Sequence, residues 1–289
     1  MVTLGRTLTS EFVECGRPNL TPQNSRPSGT VQYRNDGRVV IVTGGCNGIG
    51  RAIADQFAQS GATAVVADID TQLANSLPSA VHFRQVDVSS EDQCQELITW
   101  VVATFGGLDV LVNNAAIQPP SSYVRVEDVD RTSYERMVSI NLSGYLFMAK
   151  HSLKVMRRQQ SGVVVNISSG QGHRTARQVP VYGPIKAANI LQAMQWGIEY
   201  AREGIRVVSV SPGAIDTPLV RASLEAQGGE RELANRHPLG RIGRPEEIAY
   251  AVLWLASSDA SFVTATDLSV DGGLKAFGAF ADPYAALRE

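Results

Sequence analysis

The chain has 289 residues, 44% of them hydrophobic and 19% charged, with a formal net charge of -2. That balance is ordinary for a globular fold, and without a basic excess it points away from nucleic acid or an anionic membrane as partner. No apolar run reaches the roughly 18 residues a membrane-spanning helix needs, so none is expected.

Residues 1–36 are rich in Ser, Thr, Pro, Asn and Arg and contain no apolar signal segment. Glu11 and Glu14 argue against a transit peptide, so a disordered extension or an over-long start is expected. The pattern then changes. Residues 38–43 (RVVIVT) read as a strand ending in a Gly-rich turn, 49–59 as a helix, 63–67 (TAVVA) as a second strand and 80–86 as a third. A helix over 90–105, a strand at 108–112 (LDVLV) and one long helix over 132–157 follow. Then come a strand at 162–167 (GVVVNI), a helix over 182–201, a strand at 205–210 (IRVVSV), a helix over 245–256 and a last strand at 267–270. Strands that are apolar throughout and alternate with helices specify a parallel sheet covered on both faces. The expected fold is therefore α/β, one Rossmann-like doubly wound domain over 37–275 with about seven strands, followed by a tail at 276–289. Residues 216–244 break the rhythm, and short helices covering a pocket are expected there.

The Gly-rich turn is Thr43-Gly44-Gly45-Cys46-Asn47-Gly48-Ile49-Gly50. Between a strand and a helix, such a turn brings backbone close to a pyrophosphate, and the helix N-terminus favours negative charge. Asp68 ends the second strand, where a carboxylate accepts the hydroxyls of an adenosine ribose and repels a 2′-phosphate. No Arg or Lys stands at 45–47 or 69, so NAD is expected over its phosphorylated analogue. Asp87-Val88 and Asn113-Asn114-Ala115-Ala116 also fall at carboxyl ends of strands, where ligands bind in such sheets. Cys15, Cys46 and Cys94 show neither metal spacing nor an even disulfide count, so a reducing, cytoplasmic setting is the default. His82, His151, His173 and His237 form no metal motif, and no metal is expected.

Tyr182 and Lys186 lie four apart, hence on one helix face, with Ser169 thirteen residues upstream of the tyrosine. A nearby cation favours phenolate, so the pair reads as a metal-free proton-transfer site. Pro184 between them lacks an N–H and fits only a helix's first turn, so the helix is expected to begin within about three residues of it or to be distorted.

The set TGGCNGIG (43–50), Asp68, Asp87-Val88, NNAA (113–116), INLSG around Asn141, NISSG around Ser169, YGPIK (182–186), PGAIDT (212–217), RIGRPEEIA and SVDGG resembles the short-chain dehydrogenase/reductase family in order and spacing. The resemblance spans about 38–273. It implies hydride transfer between a nicotinamide and a carbon bearing oxygen, with Tyr182 as acid/base, Ser169 orienting the substrate oxygen and Lys186 holding the ribose and lowering the tyrosine's pKa. It also implies that Asn141 holds a water linking Lys186 to solvent. Gly44, Asn47, Gly48, Ile49, Gly50, Asp68, Asp87, Val88, Asn114, Pro212, Gly213, Ile215 and Thr217 would line NAD together with Tyr182 and Lys186. A homotetramer is implied too. Ala116 departs from the family's usual glycine, and Pro184-Ile185 from its usual small residue and serine.

The expected reaction is interconversion of a secondary alcohol, diol or polyol with a ketone. The alternatives are an acyl-thioester ketoreductase and a non-catalytic NAD-binding regulatory protein. Gln118, Gln171, Val179 and residues 216–235 are the substrate-pocket candidates. Gln171 can meet a second substrate oxygen or simply solvent. His173, Arg174 and Arg177 are either an attraction for an anionic substrate or a solvated basic loop.

Overall fold

The computed structural model describes residues 29–225 and 228–277. Contacts divide the chain into two units, Met1–Gln32 and Tyr33–Glu289, and the second holds every element named below. The extension expected over 1–36 lies outside the described residues through position 28, as does the tail from 278 on. Residues 33–36 belong to the second unit: Tyr33 lies against its core, and buried Asn35 donates through Nδ2 to Ser60 Oγ at 2.8 Å.

Among the described residues, seven parallel strands form one sheet in the order β3-β2-β1-β4-β5-β6-β7. They are β1 (Val39–Thr43), β2 (Thr63–Asp68), β3 (Val81–Gln85), β4 (Val110–Asn113), β5 (Gly162–Ile167), β6 (Ile205–Pro212) and β7 (Thr266–Val270). The helices are α1 (Gly48–Gln59), α2 (Thr71–Ala74), α3 (Glu91–Phe105), α4 (Arg131–Val138), α5 (Gly144–Gln159), α6 (Tyr182–Tyr200), α7 (Pro218–Arg221), α8 (Gly229–Asn235) and α9 (Pro245–Ala256). This is the expected doubly wound architecture.

Alternation along the strands divides the core. Val40 and Val42 of β1 face α1 and α9, packing with Ile53, Phe57, Ile248 and Val252. Val39 and Ile41 face the other way, toward α3, α5 and α6, with Leu97, Val101, Met148 and Trp196. Burying each such side chain contributes about 1.5–3 kcal/mol. Local signals fix the helix ends. Ser90 caps α3 by accepting from Gln93 N, Glu91 and Asp92 occupy its first turn, and Gly106 ends it in the left-handed region at φ 86°.

The expected helix over 132–157 is continuous but not uniform. Between α4 and α5, Ser139–Ser143 forms a π-turn. A widened turn carries an extra residue and re-aims the side chains around it, and Asn141 sits in it. Residues 216–244 hold the short helices α7 and α8, as expected.

Candidate active site

The carboxyl ends of the strands open into one cavity of about 960 Å³, at the upper end of the range for small-molecule sites. Of the expected cofactor residues, Gly44, Asn47, Gly48, Ile49, Asp68, Asp87, Val88, Asn114, Pro212, Gly213, Ile215 and Thr217 line it, together with Ser169, Tyr182, Lys186, Gln118 and Gln171. Ala116 lines it as well.

The floor is locked by a short network. Thr43 Oγ1 accepts from the backbone N–H groups of Asn114 at 2.9 Å and Ala115 at 3.1 Å, and Asn114 Nδ2 donates to the carbonyls of Thr43 and Gly44. Gly50 stands behind this turn rather than on the cavity wall. A Cβ there would run into Gly44 O and lie 2.5 Å from Asn114 Nδ2, so its glycine serves the packing of the turn. Gly48 has φ +53°, a conformation L side chains rarely adopt.

The residues present fit a nicotinamide dinucleotide. Asn47 makes no capping hydrogen bond to α1, and no acid stands in the helix's first turn. The first N–H groups of α1 are thus open to a phosphate where Gly48 and Ile49 meet the cavity. Asp68 is held at the rim: its Oδ2 accepts from Cys46 N at 3.0 Å and its Oδ1 from Asp70 N at 3.1 Å. Each oxygen keeps a lone pair for a ribose hydroxyl. Cys46 is buried beside it, and burial with the neighbouring Asp68 charge pushes its thiol up to about 12, so it stays a protonated filler of the turn.

Tyr182 opens α6 and Pro184 is the helix's third residue, so the proline costs no internal hydrogen bond. Tyr182 is 9% exposed and Lys186 1% exposed. Ser169 lies beside the Tyr182 phenol and lowers its pKa, and its Oγ accepts from Gln171 N at 3.2 Å. The lysine ammonium lies 5.6 Å from the Tyr182 ring centroid. It donates to Ile167 O at 2.8 Å and to the Tyr145 hydroxyl at 3.1 Å, and Tyr145 in turn donates to Ile167 O at 2.9 Å.

This arrangement corrects one expectation. Burial, reinforced by Tyr123, raises the Tyr182 pKa, and Ser169 only partly opposes it. Burial alone brings Lys186 down to about 7. Burial works against the charged form of both partners, so it favours Tyr182 as the protonated phenol, opposite to the direction expected from the lysine's charge.

Asn141 is fully buried, and its side chain is spent on one partner: Oδ1 accepts from Ile117 N and Nδ2 donates to Ile117 O, both at 2.8 Å. Its backbone carbonyl accepts from Asn189 Nδ2 at 3.1 Å. Asn141 thus fixes the loop after β4 and does not touch Lys186. Val179, a pocket candidate, is absent from the cavity wall. It is apolar and packs with Met137, Val181, Tyr182 and Ile185 behind the site. Arg177 does not line the cavity either, whereas Arg174 does.

Two residues were not singled out from sequence. Tyr145 is one. His237 is the other: its Nδ1 faces Leu233 O at 2.8 Å, and its Nε2 accepts from Ala214 N at 3.0 Å. That pairing requires the Nδ1–H tautomer and pins the loop after β6. The Tyr145–Lys186 and His237–Ala214 contacts join positions far apart in the chain, which a local pattern does not encode. A phenol beside Ser169 at a cavity that also offers an open helix N-terminus can exchange a proton with a ligand's oxygen.

Residues 44–275 match the family model described as enoyl-(acyl carrier protein) reductase. The chain is 39% identical over 245 residues to cis-4-hydroxycyclohexanecarboxylate dehydrogenase of Sinomonas cyclohexanicum, covering 83% of this chain and 97% of that one. It is 36% identical over 248 residues to the 3-oxoacyl-[acyl-carrier-protein] reductase of Thermotoga maritima, covering 83% and 99%. The crystal structure of levodione reductase superimposes with a TM-score of 0.80 at 34% identity, covering 84% of this chain and 98% of that one.

Proposed function

The chain belongs to the short-chain dehydrogenase/reductase family, and on that premise we propose an NAD(H)-linked enzyme that interconverts a cyclic secondary alcohol or diol with its ketone. The observation that carries this reading is the buried Tyr182 phenol, with Ser169 and Lys186 beside it, on the same cavity as the dinucleotide cradle. When bound, the nicotinamide supplies the hydride chemistry. Tyr182 exchanges the proton with the substrate oxygen, and Ser169 orients that oxygen. Lys186 and the rim residue Asp68 would hold the two riboses. Positioned proton transfer of this kind is typically worth roughly 10²–10⁴-fold in rate. As a protonated donor, Tyr182 is ready for ketone reduction, and alcohol oxidation gains as pH rises.

Asp68 supports NAD over its phosphorylated analogue, since its charge opposes a 2′-phosphate. The dehydrogenase domain is assigned to 37–275. Leu146 on α5 and Leu191 and Ile198 on α6 are large apolar side chains left exposed, which supports a homotetramer joined through these helices. Among the described residues no helix is long and apolar enough to cross a membrane, and the reading places the enzyme in the cytoplasm.

A second reading, an acyl-thioester ketoreductase, is favoured by the similarity to the Thermotoga enzyme and opposed by Asp68. One panel separates them: cyclohexanol, cyclohexane-1,4-diol and a 3-oxoacyl thioester, each with both cofactors. The first reading expects NAD-dependent oxidation of the ring alcohols. Turnover confined to the thioester with NADPH contradicts it.

A further inference from the structure

The cavity's charge is divided along its length. Its carboxylates, Asp68, Asp87 and Glu135, lie on or just after β2, β3 and α4, with Arg136 beside the last. Beyond Ser169 and Tyr182 the charged side chains on the wall are Arg174, Arg236 and Lys275, all cationic. The cavity's carboxylates thus come from β2, β3 and α4, and none stands in the segments that carry Arg174, Arg236 and Lys275.

Two of those cations are carried by a stitched pair of segments. His173 follows the short turn after Ser169, and its Nε2 lies 2.7 Å from Asp267 Oδ2 on β7. The Asp267 side chain is 3% exposed, and its other oxygen accepts from Ser209 Oγ at 2.5 Å and Ser211 Oγ at 2.8 Å. After β7 the chain turns on Asp271, which accepts from Gly273 N at 3.0 Å and Lys275 N at 2.7 Å. This turn sets the Lys275 ammonium 3.4 Å from the same His173 nitrogen.

That nitrogen cannot accept from Lys275. A 2.7 Å contact with a carboxylate requires Nε2 to carry a hydrogen and donate it. Asp267 is already occupied by the histidine and two serines. The Lys275 ammonium is therefore left without an acceptor among the described residues. Arg174 donates from Nη1 to Phe277 O at 2.8 Å and makes no ion pair among the described residues, so the rest of its donor fork remains for another group. Gln171 lines the same wall, and its Oε1 is buried with no hydrogen-bond partner. That oxygen can only accept, so its partner would be a donor such as a ligand hydroxyl, and the amide Nε2 is the atom able to donate to an anion.

We propose that this wall is a carboxylate-binding subsite. Lys275 and Arg174 hold a carboxylate remote from the carbon that reacts at Tyr182, Gln171 can donate to it through Nε2, and the His173–Asp267 pair fixes the wall in place. The substrate class is then a hydroxy acid and its oxo acid, an assignment that rests on the alcohol–ketone reading of the same site. A guanidinium fork and an ammonium match the two oxygens of a carboxylate.

The test uses the full chain with NAD⁺ and two probes that differ in one group, cis-4-hydroxycyclohexanecarboxylate and its primary amide. A charge-assisted hydrogen bond corresponds to about a tenfold to hundredfold preference. The acid should therefore exceed the amide in kcat/KM by at least about tenfold, and Lys275→Gln and Arg174→Gln should each lower that ratio, while Lys275→Arg keeps it. Calorimetric titration of cyclohexanecarboxylate against cyclohexanecarboxamide, neither of which carries a hydroxyl to oxidise, reads the subsite without turnover. Acid and amide turned over equally overturns the subsite and leaves the alcohol–ketone reading standing. No turnover of either, with binding of cyclohexanecarboxylate that Lys275→Gln abolishes, upholds the subsite and overturns the reading. Equal or absent binding of the two hydroxyl-free probes overturns the subsite whatever the kinetics show.

Discussion

Replacing Asp68 by Asn tests how the cavity chooses its cofactor. The carboxylate is held by Cys46 N and Asp70 N, which leaves one acceptor position on each oxygen facing the cavity rim. A hydrogen bond to a charged group contributes about 1.5–3 kcal/mol, so losing the charge and one acceptor should weaken NADH binding about 10- to 100-fold. The same change removes a repulsion. Two like unit charges about 4 Å apart near a protein surface interact by about 4 kcal/mol, so NADPH binding should improve by at least about tenfold. The NADH-to-NADPH affinity ratio should fall by a hundredfold or more, read by titrating the fluorescence of each reduced cofactor. An unchanged ratio in Asp68→Asn, or wild-type enzyme that binds NADPH as tightly as NADH, would refute the reasoning.

Three further outcomes follow from the packing. Gly50→Ala drives a methyl into Gly44 O and Asn114 Nδ2, so it should cost more than the roughly 0.5–3 kcal/mol of a typical substitution in denaturant titration, and NADH binding should fall with it. Lys186 has a folded pKa of about 7 from burial and an unfolded value near ~10.4, so the unfolded chain binds more protons between those values. Stability should rise with pH across that window, and Lys186→Met should flatten the rise in denaturant midpoints; an equal slope in both proteins counts against a buried, depressed amine. The Glu247 carboxylate is held down to about 2 by Arg241, with help from Arg244 N. Its contribution is present above the usual carboxylate range near ~4.3 and lost as pH falls toward about 2. Arg241→Leu should accordingly lower the denaturant midpoint at pH 7, modestly because the pair is partly exposed, and the difference from wild type should shrink as pH falls toward about 2.

The sheet was legible because each strand is a short apolar run bounded by turn residues, and because helices recur between strands. The cradle was legible for a local reason: its glycines, Asp68 and Asn114 all sit at strand ends, which the topology gathers on one side. Pro184 was legible because a missing N–H has one cheap place in a helix. The π-turn at Ser139–Ser143 was not, since one added residue scarcely disturbs a 3.6-residue period. The same holds for Tyr145 and Lys186, which meet across 41 positions, and for His237 and Ala214 across 23. Val179, three residues before Tyr182, joins an apolar cluster behind the site, which its position in the sequence does not reveal. The expected lowering of the tyrosine's pKa rested on charge alone. Burial of both partners reverses its sign.

The central claim is that Tyr182 moves the proton to and from the substrate oxygen. Tyr182→Phe removes one hydroxyl and keeps the ring that packs with Val181 and Ile185. Cyclohexanone reduction by NADH, followed at 340 nm alongside fluorescence titration of NADH, should show kcat reduced roughly 10²–10⁴-fold with cofactor affinity nearly unchanged. Turnover within about threefold of wild type would contradict the account, because a phenyl ring has no proton to give.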